Sequence, residues 1–114
     1  MKLLIVEDSL SVRQILKSVV APFADEIVEC GDGGEAVALY EQNHPDLVLM
    51  DIDLNGTDGI AATRRICAAD PQANVVIVTN YDETDLREAA ELAGASGYVL
   101  KDDLLRLQSF LKGH

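Results

Sequence analysis

Basic residues are scarce in this sequence. Nine lysines and arginines stand against twenty aspartates and glutamates, so the formal net charge is −11 over 114 residues. Nucleic acids and anionic membranes are bound through clusters of positive charge, so this composition argues against direct contact with either. An excess of carboxylates keeps a protein soluble, and it also favours a cationic partner or a metal ion.

Cysteines are few as well, and long apolar runs are absent. Cys30 and Cys67 have neither a metal-binding nor a redox spacing, which indicates free thiols. No apolar run approaches the length of a membrane span, and only four apolar residues separate Lys2 from Glu7, which is not a signal-peptide layout. We therefore expect a cytoplasmic protein without membrane contact, and the length predicts one domain, 1–114.

What the sequence does have is a regular alternation of short apolar runs and amphipathic stretches. Uninterrupted apolar runs are typical of strands that are buried on both faces, as in a parallel sheet covered by helices. Five strand–helix units in strict alternation predict an α/β domain with a parallel sheet and helices on both faces. The predicted strands are 3–6, 27–30, 47–50, 74–78 and 97–100.

Local signals mark the helices between these strands. The first predicted helix has an apolar stripe that includes Ile15, and its N-terminus follows Ser9 or Ser11, either of which can cap it. The last helix begins after Asp102 or Asp103, again residues of the capping type.

Polar residues stand where four of the five predicted strands end. Glu7 and Asp8 follow the first strand, Asp51 the third, Thr79 the fourth and Lys101 the fifth. The carboxyl ends of parallel strands lie at one edge of the sheet, which is where such folds bind ligands. Three carboxylates at close range would repel one another, and a divalent cation removes that penalty. Since all the donors are hard oxygens, Mg²⁺ is the expected metal.

Asp51 stands out among these residues as a candidate nucleophile. An aspartate that is held by Mg²⁺, with a lysine and a hydroxyl close by, has the parts needed for phosphoryl transfer to a carboxylate. In this hypothesis the metal and Lys101 neutralise the oxygens of the transferred group, and Thr79 hydrogen-bonds the product.

These motifs resemble those of a known family. Residues 4–8 (LIVED), 50–51 (MD) and 97–101 (GYVLK), together with Thr79, are similar to the receiver domain of bacterial two-component response regulators, and the resemblance extends over 2–111. It implies a flavodoxin-like, doubly wound sheet of five parallel strands in the order 2-1-3-4-5, with five helices. The pair Lys101-Asp102 after 97–100 is similar to receivers that precede a C-terminal helix-turn-helix output domain.

The resemblance also implies roles for individual residues. Asp51 would be the phosphoacceptor, taking its phosphoryl group from a histidine kinase or a phosphotransfer protein. Glu7, Asp8 and Asp51 would hold Mg²⁺ together with the backbone carbonyl of Asp53. Thr79 would be the switch hydroxyl, Lys101 would pair with the phosphate, and Tyr98 would change rotamer on activation. Gly59 matches a glycine that the family carries in the loop after the phosphoacceptor.

The function implied is a phosphorylation-controlled signalling switch with self-phosphorylation and self-dephosphorylation activity, rather than a conventional enzyme. The face made by helix 4, strand 5 and helix 5 would change its affinity for an output protein, a fused effector domain or a second copy. An alternative is a Mg²⁺-dependent phosphohydrolase that acts through an aspartyl-phosphate, since Asp53 has the spacing of an acid. A flavin-binding module is disfavoured because Glu7 and Asp8 would repel an anionic cofactor, and an adaptor without chemistry is disfavoured by the intact acids.

Overall fold

Five parallel strands form the centre of the fold. The computed structural model describes residues 1–54 and 57–112. The strands lie in the order β2-β1-β3-β4-β5, which confirms the order that the resemblance implies. Their bounds are Lys2–Val6 (β1), Glu26–Cys30 (β2), Leu47–Met50 (β3), Val75–Thr79 (β4) and Gly97–Leu100 (β5).

Five helices connect and cover the strands. They are Leu10–Val20 (α1), Gly33–Asn43 (α2), Gly59–Ala69 (α3), Thr84–Ala93 (α4) and Gln108–Leu111 (α5). Ala21–Phe23 and Leu104–Leu107 are 3₁₀ turns, and the second of them leads into the short α5. Asp53–Leu54 and Thr57–Asp58 pair as a two-residue antiparallel ladder outside the main sheet.

The ends of the helices follow from local chemistry. Ser9 caps α1 by accepting a hydrogen bond from the N–H of Val12, and the Asp32 and Asp58 carboxylates cap α2 and α3 in the same way. The predicted side-chain cap of the last helix is wrong, because Asp103 stands before the 3₁₀ turn without a capping hydrogen bond. Gly94 ends α4 at φ +106°, a left-handed conformation that costs glycine little.

Two apolar layers, one on each face of the sheet, form the core. Alternate strand residues point to opposite faces, so Leu4 and Val6 pack beneath α2 and α3, whereas Leu3 and Ile5 pack against α1 and α5. A fully buried aliphatic side chain of this kind contributes about 1.5–3 kcal/mol of transfer free energy. Helices therefore cover both faces of the sheet, as predicted.

The apolar stripe predicted for α1 is too wide. Leu16 and Val20 are buried, but Ile15 is 51% exposed, because it lies about 100° away from Leu16 around the helix and faces solvent. Across residues 1–54 and 57–112, no helix is both long enough and apolar enough to cross a membrane.

Candidate functional site

The residues predicted from the strand ends lie around one cleft of about 460 Å³ at the carboxyl edge of the sheet. The cleft is lined by Glu7, Asp8, Ser9, Val12, Asp51, Asp53, Leu54, Thr79, Asn80, Tyr81 and Lys101. The sheet order explains this convergence, because β1 and β4 both pair with β3 and β5 pairs with β4. Tyr98 does not line the cleft.

Three carboxylates meet at the floor of the cleft. One oxygen each from Glu7, Asp8 and Asp51 lies within 4.8 Å of the other two. Glu7 is 1% exposed and Asp51 is 5% exposed, whereas Asp8 is open to solvent. Three oxygen donors of this kind fit a hard divalent cation, and the open side at Asp8 leaves room for water ligands.

The surroundings of Glu7 support that fit. Its Oε1 accepts a hydrogen bond from the N–H of Ser9 at 3.0 Å. Its Oε2 is buried and forms an ion pair with Lys101 Nζ at 3.0 Å, with angles that are poor for a hydrogen bond. Burial raises the pKa of Glu7 against the opposing effects of Lys101 and of the Ser9 N–H, and the nearby Asp51 charge adds a smaller upward effect. A buried carboxylate oxygen with one poorly aligned ion pair still has lone pairs that a bound cation would satisfy.

Lys101 bridges two of the acids from the end of β5. Its Nζ donates a hydrogen bond to Asp51 Oδ2 at 3.1 Å, and it also forms the ion pair with Glu7. Burial alone would lower the pKa of Lys101, but the two carboxylates outweigh burial and raise it. The ammonium therefore stays charged beside the predicted phosphoacceptor.

Gly59, the first residue of α3, allows the chain to pack tightly behind Asp51. Its N–H donates to the carbonyl of Ile52 at 2.8 Å. A Cβ atom placed on Gly59 would lie 1.8 Å from the backbone oxygen of Asp51 and 2.8 Å from its carbonyl carbon. The sequence shows the glycine, but only the tertiary structure shows that a side chain at this position would overlap with the backbone of Asp51.

Tyr81 joins three of the predicted residues and was not predicted from the sequence. Its N–H donates to the Thr79 hydroxyl at 3.2 Å, its phenol donates to Asp53 Oδ2 at 3.3 Å, and its carbonyl accepts the Tyr98 hydroxyl at 2.7 Å. The Asp53 carboxylate raises the pKa of Tyr81, mainly through its charge. The prediction that Asp53 ligates a metal concerns its backbone carbonyl and stays a prediction. The only sequence feature that could have indicated this role is a tyrosine two residues after Thr79.

Tyr98 lies on the face next to the cleft, at the outer edge of the sheet. The Arg87 guanidinium stands over its ring, with 4.5 Å between the guanidinium carbon and the ring centroid. Arg87 is in turn paired with Asp82 at 2.6 Å. Tyr98 is thus held by a hydrogen bond at its hydroxyl and by a cation over its ring.

Comparison with known proteins identifies the family. A family described as the response regulator receiver domain matches residues 3–112. The transcriptional regulatory protein PdtaR of Mycobacterium tuberculosis is 42% identical over 101 residues, which cover 88% of this chain and 49% of PdtaR. The chemotaxis protein CheY of Halobacterium salinarum is 35% identical over 100 residues, with 88% of this chain and 83% of CheY covered.

A solved structure agrees with this match. A LuxR-family two-component response regulator from Aurantimonas sp. SI85-9A1 superposes with a TM-score of 0.86 at 33% identity, over 99% of this chain and 86% of that one. This chain spans about half the length of PdtaR and of the Bacillus subtilis regulator YxjL, which it also matches. Receiver domains are signalling proteins rather than conventional enzymes. The chain belongs to the response regulator receiver domain family of two-component signalling proteins.

Proposed function

We propose that residues 1–114 form one receiver domain that acts as a phosphorylation-controlled switch, with Asp51 as the phosphoacceptor. The observation that carries this proposal is the arrangement at the cleft floor. There the Asp51 carboxylate lies 3.1 Å from the Lys101 ammonium and shares a 4.8 Å cluster with Glu7 and Asp8. The phosphoryl donor would be the phosphohistidine of a histidine kinase or a phosphotransfer protein.

Glu7, Asp8 and Asp51 would hold Mg²⁺, together with the backbone carbonyl of Asp53. When bound, Mg²⁺ supplies positive charge to the oxygens of the phosphoryl group during transfer. The donor set supports this choice of metal, because the three clustered side chains provide only carboxylate oxygens.

The chain's own residues would carry the transfer. A carboxylate oxygen of Asp51 attacks the phosphorus, and the P–N bond of the phosphohistidine breaks, with its electron pair returning to the imidazole. Lys101, whose Nζ lies 3.1 Å from Asp51 Oδ2, would neutralise the charge on the phosphoryl oxygens. The Thr79 hydroxyl accepts a hydrogen bond from the N–H of Tyr81. Its own O–H is still free to act as a donor, and it would donate a hydrogen bond to the phosphoryl group.

Tyr81 would transmit the movement of Thr79 from the cleft to the surface. When Thr79 moves towards the phosphoryl group, it pulls on the N–H of Tyr81, whose carbonyl holds the Tyr98 hydroxyl. The face of α4, β5 and α5, which is 82–112, would then change its affinity for a partner. That partner would be an output protein, a fused effector domain or a second copy of the chain.

We further propose that the protein is cytoplasmic.

The direct test is Mg²⁺-dependent labelling by acetyl phosphate, followed by intact-protein mass spectrometry. The parent chain should gain one acid-stable, base-labile phosphoryl group, and Asp51→Asn should gain none. Asp102→Asn is the matched control, because this exposed aspartate lies next to Lys101 in sequence and should leave labelling unchanged. Labelling of Asp51→Asn to the level of the parent would show that the site assignment is wrong. Sustained turnover of p-nitrophenyl phosphate would instead favour the phosphohydrolase.

Mg²⁺ binding should weaken on acidification, and the reason is the raised pKa of Glu7. A carboxylate has to lose its proton to ligate a metal, and this pKa lies above the ordinary value of 4.5. In the metal-free protein, the protonation of Glu7 also makes the free energy of unfolding depend on pH. Protonated Glu7 favours the folded state fully below pH 4.5, and that contribution is lost as the pH rises through the raised pKa.

The measurement is the Mg²⁺-induced rise in melting temperature as a function of pH. At a concentration of about ten times the dissociation constant, Mg²⁺ should stabilise the protein by about 1.4 kcal/mol near neutral pH. The rise should shrink as the pH falls towards the ordinary carboxyl range. Asp8→Asn should show no Mg²⁺-induced rise at any pH. A rise that grows on acidification would contradict the assignment of Glu7 as a ligand.

A further inference from the structure

Arg13 is a partly buried cation on α1 next to the proposed metal site. Its side chain is 19% exposed, and its Nε donates a hydrogen bond to the backbone carbonyl of Glu7 at 2.9 Å. It does not line the cleft. The side chain therefore contacts the backbone that carries the ligands, and not the space where a metal would bind.

The carbonyl of Glu7 has this partner because the sheet ends there. The paired register of β1 and β2 stops at Val6 and Cys30, and the N–H of Glu7 makes one further hydrogen bond, to the carbonyl of Cys30, at 3.0 Å. After Cys30 the chain turns through Gly31 to begin α2, so the ladder offers the Glu7 carbonyl no further donor. The Nε of Arg13 replaces that missing donor.

Two neighbours hold the guanidinium in place. A Cβ atom on Gly31 would lie 3.2 Å from Arg13 Nη2 and 3.4 Å from the Cα of Asp8, so the three residues are in tight contact. Glu29 Oε1 lies 3.9 Å from Arg13 Nε, as a long ion pair. A planar guanidinium presents its N–H donors in a fixed geometry, so the hydrogen bond from Nε has a defined direction.

This hydrogen bond fixes the peptide plane between Glu7 and Asp8, which contains the bonded carbonyl. That plane sets the direction in which the Asp8 side chain leaves the backbone. Asp8 is exposed, and no ion pair of the described residues holds its carboxylate. The orientation of Asp8 therefore depends on its backbone, and the backbone depends on Arg13.

We propose that Arg13 is a positioning residue for the divalent cation: its hydrogen bond to the Glu7 carbonyl orients the Glu7–Asp8 peptide so that both carboxylates face the site. The proposal rests on the proposed function, because it needs a cation at Glu7, Asp8 and Asp51. Residues that orient metal ligands typically change metal affinity by about 10- to 100-fold when they are replaced.

The direction in which Mg²⁺ affinity changes on substitution distinguishes a positioning role of Arg13 from a purely electrostatic one. Arg13→Met keeps the length of the side chain but removes the donor and the positive charge. If Arg13 acted only through its charge, its removal would strengthen Mg²⁺ binding, because like charges repel. Positioning predicts the opposite, a dissociation constant that is higher by about tenfold. Lys17→Met is the matched control, since Lys17 lies on the same helix and pairs with the same Glu29, at 3.0 Å.

The test is isothermal titration calorimetry with Mg²⁺ at a temperature where urea unfolding shows every variant to be folded. We expect about tenfold weaker binding for Arg13→Met and a change of less than about twofold for Lys17→Met. In acetyl phosphate labelling, the half-saturating Mg²⁺ concentration should rise about tenfold for Arg13→Met, while the rate at saturating Mg²⁺ stays within about twofold. A purely structural defect would not leave that saturated rate intact.

Two further variants keep the outcome unambiguous. Arg13→Lys keeps the charge but lacks the planar guanidinium, so it should bind Mg²⁺ more weakly than the parent and more tightly than Arg13→Met. Binding by Arg13→Met or Arg13→Lys equal to that of the parent overturns the role of Arg13. If Asp8→Asn binds Mg²⁺ as tightly as the parent, the metal site itself is wrong and the proposed function fails with it.

Discussion

Gly59→Ala is expected to lower the free energy of unfolding by about 3 kcal/mol or more, and to abolish labelling of Asp51 in whatever folded protein remains. The added methyl group would stand 1.8 Å from the backbone oxygen of Asp51 and 3.0 Å from the Cα of Ile52. Both neighbours are backbone atoms, so no side-chain rotation relieves the overlap. The chain has to separate α3 from the end of β3, and that movement displaces Asp51, the proposed phosphoacceptor.

Gly34→Ala is the matched control for this substitution. Gly34 is exposed in the first turn of α2, and a Cβ atom there would approach only the side-chain oxygen of Asp32, at 3.3 Å. Alanine should change the free energy of unfolding by less than about 1 kcal/mol, because the reduced backbone freedom of the unfolded chain is offset by crowding of the Asp32 oxygen that caps α2. Urea unfolding measures both free energies. A loss below about 1 kcal/mol for Gly59→Ala would contradict the close approach behind Asp51.

Lys101→Met is expected to have the second-largest effect, and it acts on stability and chemistry together. It removes the ammonium that lies 3.0 Å from Glu7 Oε2 and 3.1 Å from Asp51 Oδ2. Two buried carboxylates would then lack their cation, which should cost about 2 kcal/mol of stability in Mg²⁺-free buffer; the cleft is open to water, so the cost is below that of a sealed ion pair.

The chemical consequence of Lys101→Met has a distinctive sign. Mg²⁺ should bind more tightly, because a competing positive charge is gone. Labelling by acetyl phosphate should nevertheless slow by at least about tenfold, because a group that neutralises the phosphoryl oxygens is lost. Calorimetry and labelling kinetics measure the two effects separately. Equal labelling rates at saturating Mg²⁺ for Lys101→Met and the parent would exclude the proposed contact with the phosphoryl group.

Lys17→Met is the control for the loss of a lysine ion pair. Lys17 pairs with Glu29 at 3.0 Å, and its side chain is 36% exposed. Pairs of this kind contribute no more than about 1 kcal/mol, so its loss should change stability little and labelling not at all. The contrast between the two lysines would show that burial beside carboxylates, and not pairing as such, gives Lys101 its effect.

The cleft contains a buried acid that the proposed chemistry needs and whose burial costs stability, which is typical of functional sites. Glu7 is 1% exposed, yet its Oε2 makes no hydrogen bond, and burial raises its pKa. Burial of this carboxylate costs free energy, and its raised pKa is consistent with the Lys101 ammonium offsetting that cost only in part. The proposed metal would remove that cost, so binding and stability should be linked through these carboxylates.

The sequence by itself determined the fold class and the placement of the polar residues. Apolar runs with polar ends are local patterns, and a parallel sheet brings all its carboxyl ends to one edge whatever the details of packing. The convergence of Glu7, Asp8, Asp51, Thr79 and Lys101 around one cleft therefore followed from strand periodicity and topology. The strand order itself came from the resemblance to a family and not from the periodicity.

Only the tertiary structure decided which residues meet across the chain. Ile15 belongs to an apolar pattern, yet it is 51% exposed, because the sheet covers only part of the circumference of α1. Arg13 and Gly59 contact the backbone of Glu7 and Asp51, and Tyr81 uses its own backbone groups to bind Thr79 and Tyr98; a contact that involves a backbone atom leaves no mark in a sequence. The candidate phosphoacceptor could be read from the chain, but the supports around Asp51 depend on distances that only the packed fold sets.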